Sequence, residues 1–343
     1  MKRISYDKIN LLYNELSQIT ELYLPVKESG AVNFKKYQEN EIVDIETLQT
    51  VKSAKDLFFP QSEDMVKFKT DGKNIEITDA RIKKDSFVIF GVRACDMRSF
   101  EILDKVFLTE PVDTMYQNKR EAGIIFTLAC QNPQPSCFCK VFGIDASKPQ
   151  GDVECRLVDG YLYLEGKTQK GNDILAKLTC LEDATDGEKV KDKNAKEIQE
   201  KIQKLPFSNL DLSNFKGDNL MPLFDRPEWE ELSKACLGCG TCTFVCPTCQ
   251  CFDIRDFKTN DGVKRFRCWD SCMYSEFTKM AAENPRKTQL QRYRQRFMHK
   301  LVYFPSNNDG VYSCVGCGRC VKKCPQSLNI VKVIKKLGGN NND

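Results

Sequence analysis

The chain has 343 residues, 41% of them hydrophobic and 29% charged, with a net charge of +4. That profile describes a globular protein of about two domains, and a charge so small against so many ionised groups argues against nucleic acid or an anionic membrane as partner. No apolar run approaches the ~20 residues of a membrane span. The polar, amphipathic start MKRISYDKINLLYNELSQ lacks the apolar core of a signal peptide, so a cytoplasmic location is expected.

Residues 6–20 set Tyr6, Ile9, Leu11, Leu12, Leu16 and Ile19 close to a helical repeat, with Ser5 as its cap. Strand-like pieces follow: LYLPV, VNFKKY, and the pair MVKFKT and NIEITDA about Asp71-Gly72-Lys73, which reads as a hairpin turn. SFVIFGV (86–92) and GIIFTLAC (123–130) are continuous apolar runs with the amphipathic MRSFEILDKVFL between them, the pattern of a βαβ unit with buried parallel strands. VECRLVDGYLYLEG (153–166) alternates about Asp159-Gly160 and predicts a second hairpin. Residues 184–204, rich in Lys and Glu, read as a solvated helix plus linker, and 205–226, with its prolines, Asn, Asp and Ser, as a domain boundary. PEWEELSKA reads as a short helix with Pro227 near its start, and GGNNND as a disordered tail. The expected fold class is α+β. An α/β domain spans 1–185 and a charged helix and linker 186–226. A ferredoxin-like domain over 227–336 carries an insert at 247–313, and the tail is 337–343.

Eighteen cysteines are present, twelve of them between 236 and 324. In a cytoplasmic chain of this size such density indicates metal and not disulfides. The only histidine is His299, which argues against mixed Cys/His zinc sites and against His-based acid–base chemistry. Cys236-x2-Cys239-x2-Cys242-x3-Cys246-Pro247 is repeated as Cys314-x2-Cys317-x2-Cys320-x3-Cys324-Pro325. This is the bacterial ferredoxin spacing, in which the fourth cysteine of each motif ligates the other cluster. One 4Fe–4S cluster is therefore assigned to Cys236, Cys239, Cys242 and Cys324, and a second to Cys314, Cys317, Cys320 and Cys246. Gly238, Gly240, Gly316 and Gly318 let the backbone wrap around the sulfides. Zinc or plain structural cysteine is the competing reading, and two full copies with the following proline weigh against it.

The insert holds a surplus. Cys249, Cys251 and Cys272 need a metal if they meet, and a third 4Fe–4S cluster is the reading adopted. Its fourth ligand is His299 or Cys268. Cys268-x3-Cys272 would put both thiols on one face of a helix. His299 lies in RKTQLQRYRQRFMHK (286–300), where Arg292, Arg294 and Arg296 supply positive charge to an anionic cluster. A packed, non-ligating histidine on a solvated basic helix is the plainer alternative.

In the N-terminal half, Cys95 follows the first buried strand and Cys130 ends the second. If those strands are parallel neighbours, both thiols reach the same carboxyl edge, and QNPQPSCFC returns Cys137 and Cys139 to it. A fourth 4Fe–4S cluster, a zinc ion, or a group of inert buried thiols would each fit. Cys155 and Cys180 have no partner in pattern and read as structural.

The combination of RACD, LAC followed by CFC, the extended CPTCQC, the stretch at 294–300 and CVGCGRC resembles an iron–sulfur component shared by several anaerobic complexes. These are anaerobic sulfite reductase, cytoplasmic sulfhydrogenase (whose beta chain it is), and flavin oxidoreductase–heterodisulfide reductase and bifurcating transhydrogenase complexes. The resemblance covers nearly the whole chain, strongly from about residue 85. It implies that the slot of His299 holds histidine or cysteine while Cys268 is no family feature, which favours His299. It also implies a partner carrying FAD and a 2Fe–2S centre that oxidises NAD(P)H, and a further catalytic subunit. The chain has neither a G-x-G-x-x-G after a strand nor a P-loop, hence no flavin or NAD site of its own is evident. No convergent Ser/His/Asp set is present, so catalytic residues are not expected. The expected function is electron transfer within an oxidoreductase. Two other readings stand beside it: a self-contained enzyme binding substrate at an unusual cluster, and an oxygen-sensing iron–sulfur protein.

Overall fold

The computed structural model describes residues 1–47, 49–81, 85–260 and 262–339. The strands in chain order are β1 (Lys2–Ser5), β2 (Glu21–Glu28), β3 (Ala31–Lys36), β4 (Ser62–Asp71), β5 (Asn74–Asp79), β6 (Phe87–Val92), β7 (Gly123–Leu128), β8 (Val153–Val158), β9 (Tyr161–Gly166), β10 (Glu182–Asp183), β11 (Phe252–Lys258) and β12 (Gly262–Trp269). The first half adds helices α1 (Ile9–Ile19), α2 (Ala94–Phe107), α3 (Thr114–Ala122), α4 (Gln169–Leu175) and α5 (Gly187–Gln203). The second adds α6 (Leu220–Phe224), α7 (Glu228–Ser233), α8 (Thr241–Phe244), α9 (Gln289–Met298), α10 (Phe304–Ser306), α11 (Arg319–Lys323) and α12 (Ile330–Leu337). Both helix and strand are abundant, and the chain is α+β. None of these helices, among the described residues, is long and apolar enough to cross a membrane.

Eight strands form a mixed sheet in the order β10-β1-β9-β8-β7-β6-β2-β3. The pairs β2–β6, β6–β7 and β7–β8 are parallel, the rest antiparallel. Every residue of β6 is buried because both faces are covered. Val88 and Phe90 meet Leu12, Tyr13 and Leu16 on one side, and Phe87 and Ile89 meet Phe58, Phe100 and Leu103 on the other. A strand buried on both faces has no polar side to alternate with, hence the unbroken apolar run. Both expected hairpins form, with Gly72 at φ +57° and Gly160 at φ +78° in the turns.

Three readings of the sequence are corrected. The first helix begins at Ile9 after a single 3₁₀ turn, and residues 2–5 are a strand pairing with β9 and β10, with Ser5 giving no side-chain cap. Residues 187–203 form the expected helix, but it is not solvated all round: Ala195, Ile198 and Ile202 press against Ala129, Cys130, Cys139 and Ala146. The stretch 205–226 is folded as well, because Phe215 and Leu223 fill a second core with Trp229, Tyr293 and Phe297. The tail expectation falls largely on residues 340–343, outside the described residues.

The two halves exchange core residues. Phe138, from the CFC loop, belongs to the second core. Trp269, from the insert, belongs to the first, stacked on Phe59 at 5.9 Å. A second sheet, β11-β12-β4-β5, is made of strands from both halves.

Candidate metal centres

Strands β6 and β7 are parallel neighbours, so their carboxyl ends share an edge. β6 leads to Cys95 in the first turn of α2, and β7 to Cys130. The loop after Cys130 folds back, and Cys95, Cys130, Cys137 and Cys139 line one cavity together with Cys317 of the second ferredoxin motif. Gln49 donates from Nε2 to Cys137 Sγ at 3.4 Å and to the Cys317 carbonyl at 2.7 Å. Burial pushes the Cys137 thiol up to about 11, and that of Cys139 higher still.

This cavity is sealed by contact between the halves. The Phe138 N–H donates to the Gly316 carbonyl at 2.8 Å. Gly316 (φ +59°) and Gly318 (φ +76°) lie in the left-handed region, and a Cβ on either would stand 2.5 Å from backbone of Phe138 or Ser136. Only glycine meets both conditions. Beside them, Arg319 makes a bidentate ion pair with Asp96, at 2.5 Å and 2.7 Å, with both side chains buried. Arg319 also donates to the Thr50 carbonyl at 2.9 Å and hydroxyl at 3.0 Å.

The ferredoxin motifs gather their thiols in two groups. Cys236, Cys239, Cys242 and Cys324 line a second cavity with Met273, Tyr293 and Phe297. Gln289 Nε2 donates to Cys236 Sγ, and the Leu328 N–H to Cys324 Sγ, each at 3.3 Å. Cys246, Cys314, Cys317 and Cys320 are electrostatic neighbours, and burial raises Cys314 to about 12.

In the insert, Cys251 and Cys272 lie close enough to shift each other's thiols, Cys249 acts on Cys251, and Cys249 and Cys246 act on each other. That last proximity holds Cys246 down and Cys249 up. Cys268 is not with them, nor on a helix. It sits in β12 opposite Asp253 and Ser62, with Arg255, Asp253 and Asp270 as its charged neighbours. The x3 spacing spans the end of a strand and a turn, so the helical-face argument fails. His299 follows α9 at the start of a π-helical turn, with its ring 6.0 Å from Phe304. Burial, then Lys300, Arg296 and Arg286, push its pKa down to about 4, so the imidazole is neutral at neutral pH. The thiols are met instead by its neighbours: Arg296 donates to Cys249 Sγ at 3.3 Å and to the Cys242 carbonyl at 2.6 Å. Arg292 acts one step removed, through Gln289. Arg294 points elsewhere, stacked 3.5 Å over Phe224.

Lys55 is a contributor the sequence does not announce. Its side chain, only 2% exposed, donates to the carbonyls of Cys246 (3.2 Å) and Cys249 (2.9 Å) and lies 3.6 Å over the Trp269 ring. Burial brings its pKa down to about 8, against the opposing pull of Cys249 and Cys246. Lys300 is as deeply buried, and Cys246 and Cys249 outweigh its burial to hold it protonated. Among the described residues no carboxylate lies within ion-pair distance of Lys55, Arg296 or Lys300. Three buried cations with no carboxylate at ion-pair distance, Lys55 feeling Asp56 only from further off, need an anion close by, since an uncompensated buried charge costs several kcal/mol. Thiolate-bound iron–sulfur clusters are such anions, and the residues present fit them.

Two rival uses of the thiols fit less well. All eighteen are unpaired, and most of the buried ones have raised pKa values, opposite to the depressed pKa of a reactive cysteine.

Interleaved four-cysteine motifs wrapped on left-handed glycines define a ferredoxin-type iron–sulfur protein, and the family model of a 4Fe-4S dicluster domain matches residues 235–328. The similarity extends well beyond that domain. The chain is 31% identical over 329 residues to sulfhydrogenase 2 subunit beta of Pyrococcus furiosus, covering 95% of this chain and 94% of that protein. It belongs to that family of iron–sulfur electron-transfer subunits. No solved structure matches it.

Proposed function

We propose that the chain is the electron-relay subunit of a cytoplasmic NAD(P)H-linked complex. It would stand between a partner carrying FAD and a 2Fe–2S centre and a catalytic subunit, for which the name of the relative favours a hydrogenase. The observation that carries the reading is the trio of buried cations, Lys55, Arg296 and Lys300, that have no carboxylate at ion-pair distance and sit at the cysteine-rich core. Four clusters are assigned: to Cys236, Cys239, Cys242 and Cys324; to Cys246, Cys314, Cys317 and Cys320; to Cys249, Cys251, Cys272 and His299; and to Cys95, Cys130, Cys137 and Cys139. His299 is given the fourth place in the third set because the family resemblance favours a histidine there and Cys268 lies apart in β12, and its neutral imidazole is in the form a metal takes.

When bound, the clusters supply one-electron redox chemistry. The chain excludes water from the thiols, balances their charge, and fixes which groups adjoin. Cys317 borders the N-terminal cavity, and Cys246 lies beside Cys249. The second set is therefore the junction between the N-terminal and insert sets.

An anaerobic iron determination tests the assignment: about sixteen irons per chain support four cubanes, and about eight remove the two additional sets. Reduction by NAD(P)H in the presence of the flavin partner, and not without it, tests the role. Clusters that stay oxidised with that partner present would sink it.

A further inference from the structure

Cys239 alone among the eighteen cysteines is exposed. It sits on the loop 236–240, whose tip Leu237 is 66% exposed, beside Tyr274, which donates to the Cys239 carbonyl at 3.4 Å. Pro325 and Gln326, also exposed, line the same cavity. Four lysines lie close in the chain to the residues of this mouth. Lys234 lies two residues before Cys236, Lys322 and Lys323 end α11 just ahead of Cys324, and Lys287 lies two residues before Gln289, which touches Cys236. All four lysines are exposed. Segments 235–246 and 320–328 contain no Asp or Glu. Of the nearby carboxylates, Glu228 is bound to Arg226 at 2.9 Å and Glu231 to Lys336 at 3.4 Å, leaving Glu230 on α7 and Asp270 beside Tyr274 against the four lysines.

Electron exchange between proteins falls steeply with distance, so an outside carrier must seat its own centre near a thiolate that reaches the surface. An apolar tip with a cationic rim is the form of a transient, electrostatically steered interface. We propose that this mouth is the docking port for a small acidic iron–sulfur carrier of ferredoxin size, distinct from the flavin subunit. The exchange moves one electron between carrier and port and makes or breaks no bond. The proposal rests on the relay reading above.

The test uses the full chain and an acidic plant-type 2Fe–2S ferredoxin as probe. Zero-length carbodiimide coupling followed by mass spectrometry should join ferredoxin carboxylates to Lys234, Lys322 or Lys323. Freeze-quenched mixing should show the reduced ferredoxin signal lost to the chain at a rate that falls with added salt. The Lys322→Glu, Lys323→Glu double variant should lose the cross-links and react on the order of ten-fold more slowly at low salt, while dithionite reduces it normally. Cross-links located elsewhere, or rates indifferent to salt and to charge reversal in a chain with normal dithionite signals, would overturn the port alone. No cluster signal even with dithionite would overturn the relay reading and the port together.

Discussion

Replacing Asp96 by Asn removes the counter-charge of Arg319 and leaves the guanidinium where water cannot reach it. Asp96 is 1% and Arg319 3% exposed, and they meet through two parallel contacts at 2.5 Å and 2.7 Å. Breaking a buried pair from one side costs about 3–5 kcal/mol. The Thr50 carbonyl and hydroxyl still accept from Arg319, so the lower half of that range is expected. At roughly 2 °C per kcal/mol for a chain of this length, the apparent unfolding temperature should fall by about 6–8 °C. The assay is anaerobic thermal unfolding at a fixed scan rate, read by far-ultraviolet circular dichroism and by the visible absorbance of the clusters. The double variant Asp96→Asn, Arg319→Met removes both charges and should recover most of the loss. A single variant within about 2 °C of the parent (roughly 1 kcal/mol), or a double variant no better than the single, would refute the pair as the clamp between the halves.

Lys55→Met should lower the midpoint potential of a cluster at Cys246 or Cys249 by on the order of 50 mV, because a cation close to the thiolates is lost; an EPR-monitored redox titration measures it. Gly318→Ala should cost about 2–4 kcal/mol, from a strained φ and a Cβ driven into the Ser136 carbonyl, and it should open the 130–139 loop to chymotrypsin at Phe138. His299→Ala should remove one cluster signal and about four irons, whereas Cys268→Ser should leave the iron content unchanged; four irons lost from the Cys268 variant would reverse that assignment.

Much of this arrangement is readable from local chemistry. Asp-Gly turns announce both hairpins, and the twin apolar runs announce a parallel pair whose carboxyl ends must coincide, which brings Cys95 and Cys130 together. What local chemistry hides is pairing over long separations. Residues 2–5 are too short to show a pattern, and they become a strand only because β9 and β10 flank them. The polar look of 205–226 conceals Phe215 and Leu223, which are spaced too irregularly for a helical or strand period to show. Lys55 escapes a reading of the sequence because lysine reads as surface, and nothing near it in the chain foretells the Cys246 and Cys249 carbonyls. Cys268 misleads because a gap of three is equally compatible with a helix and with a strand followed by a turn.

The pairing of β4 with β12 has a consequence during synthesis. Glu63 and Arg267, bonded across that seam, are 204 residues apart. At about 5–20 residues per second, β4 leaves the ribosome roughly 10–40 s before its partner strand exists. For that interval the β4–β5 hairpin offers an unpaired edge to any neighbouring nascent chain. Lys67 and Lys69, on the stretch of β4 that later receives β12, are the kind of charge that discourages such pairing.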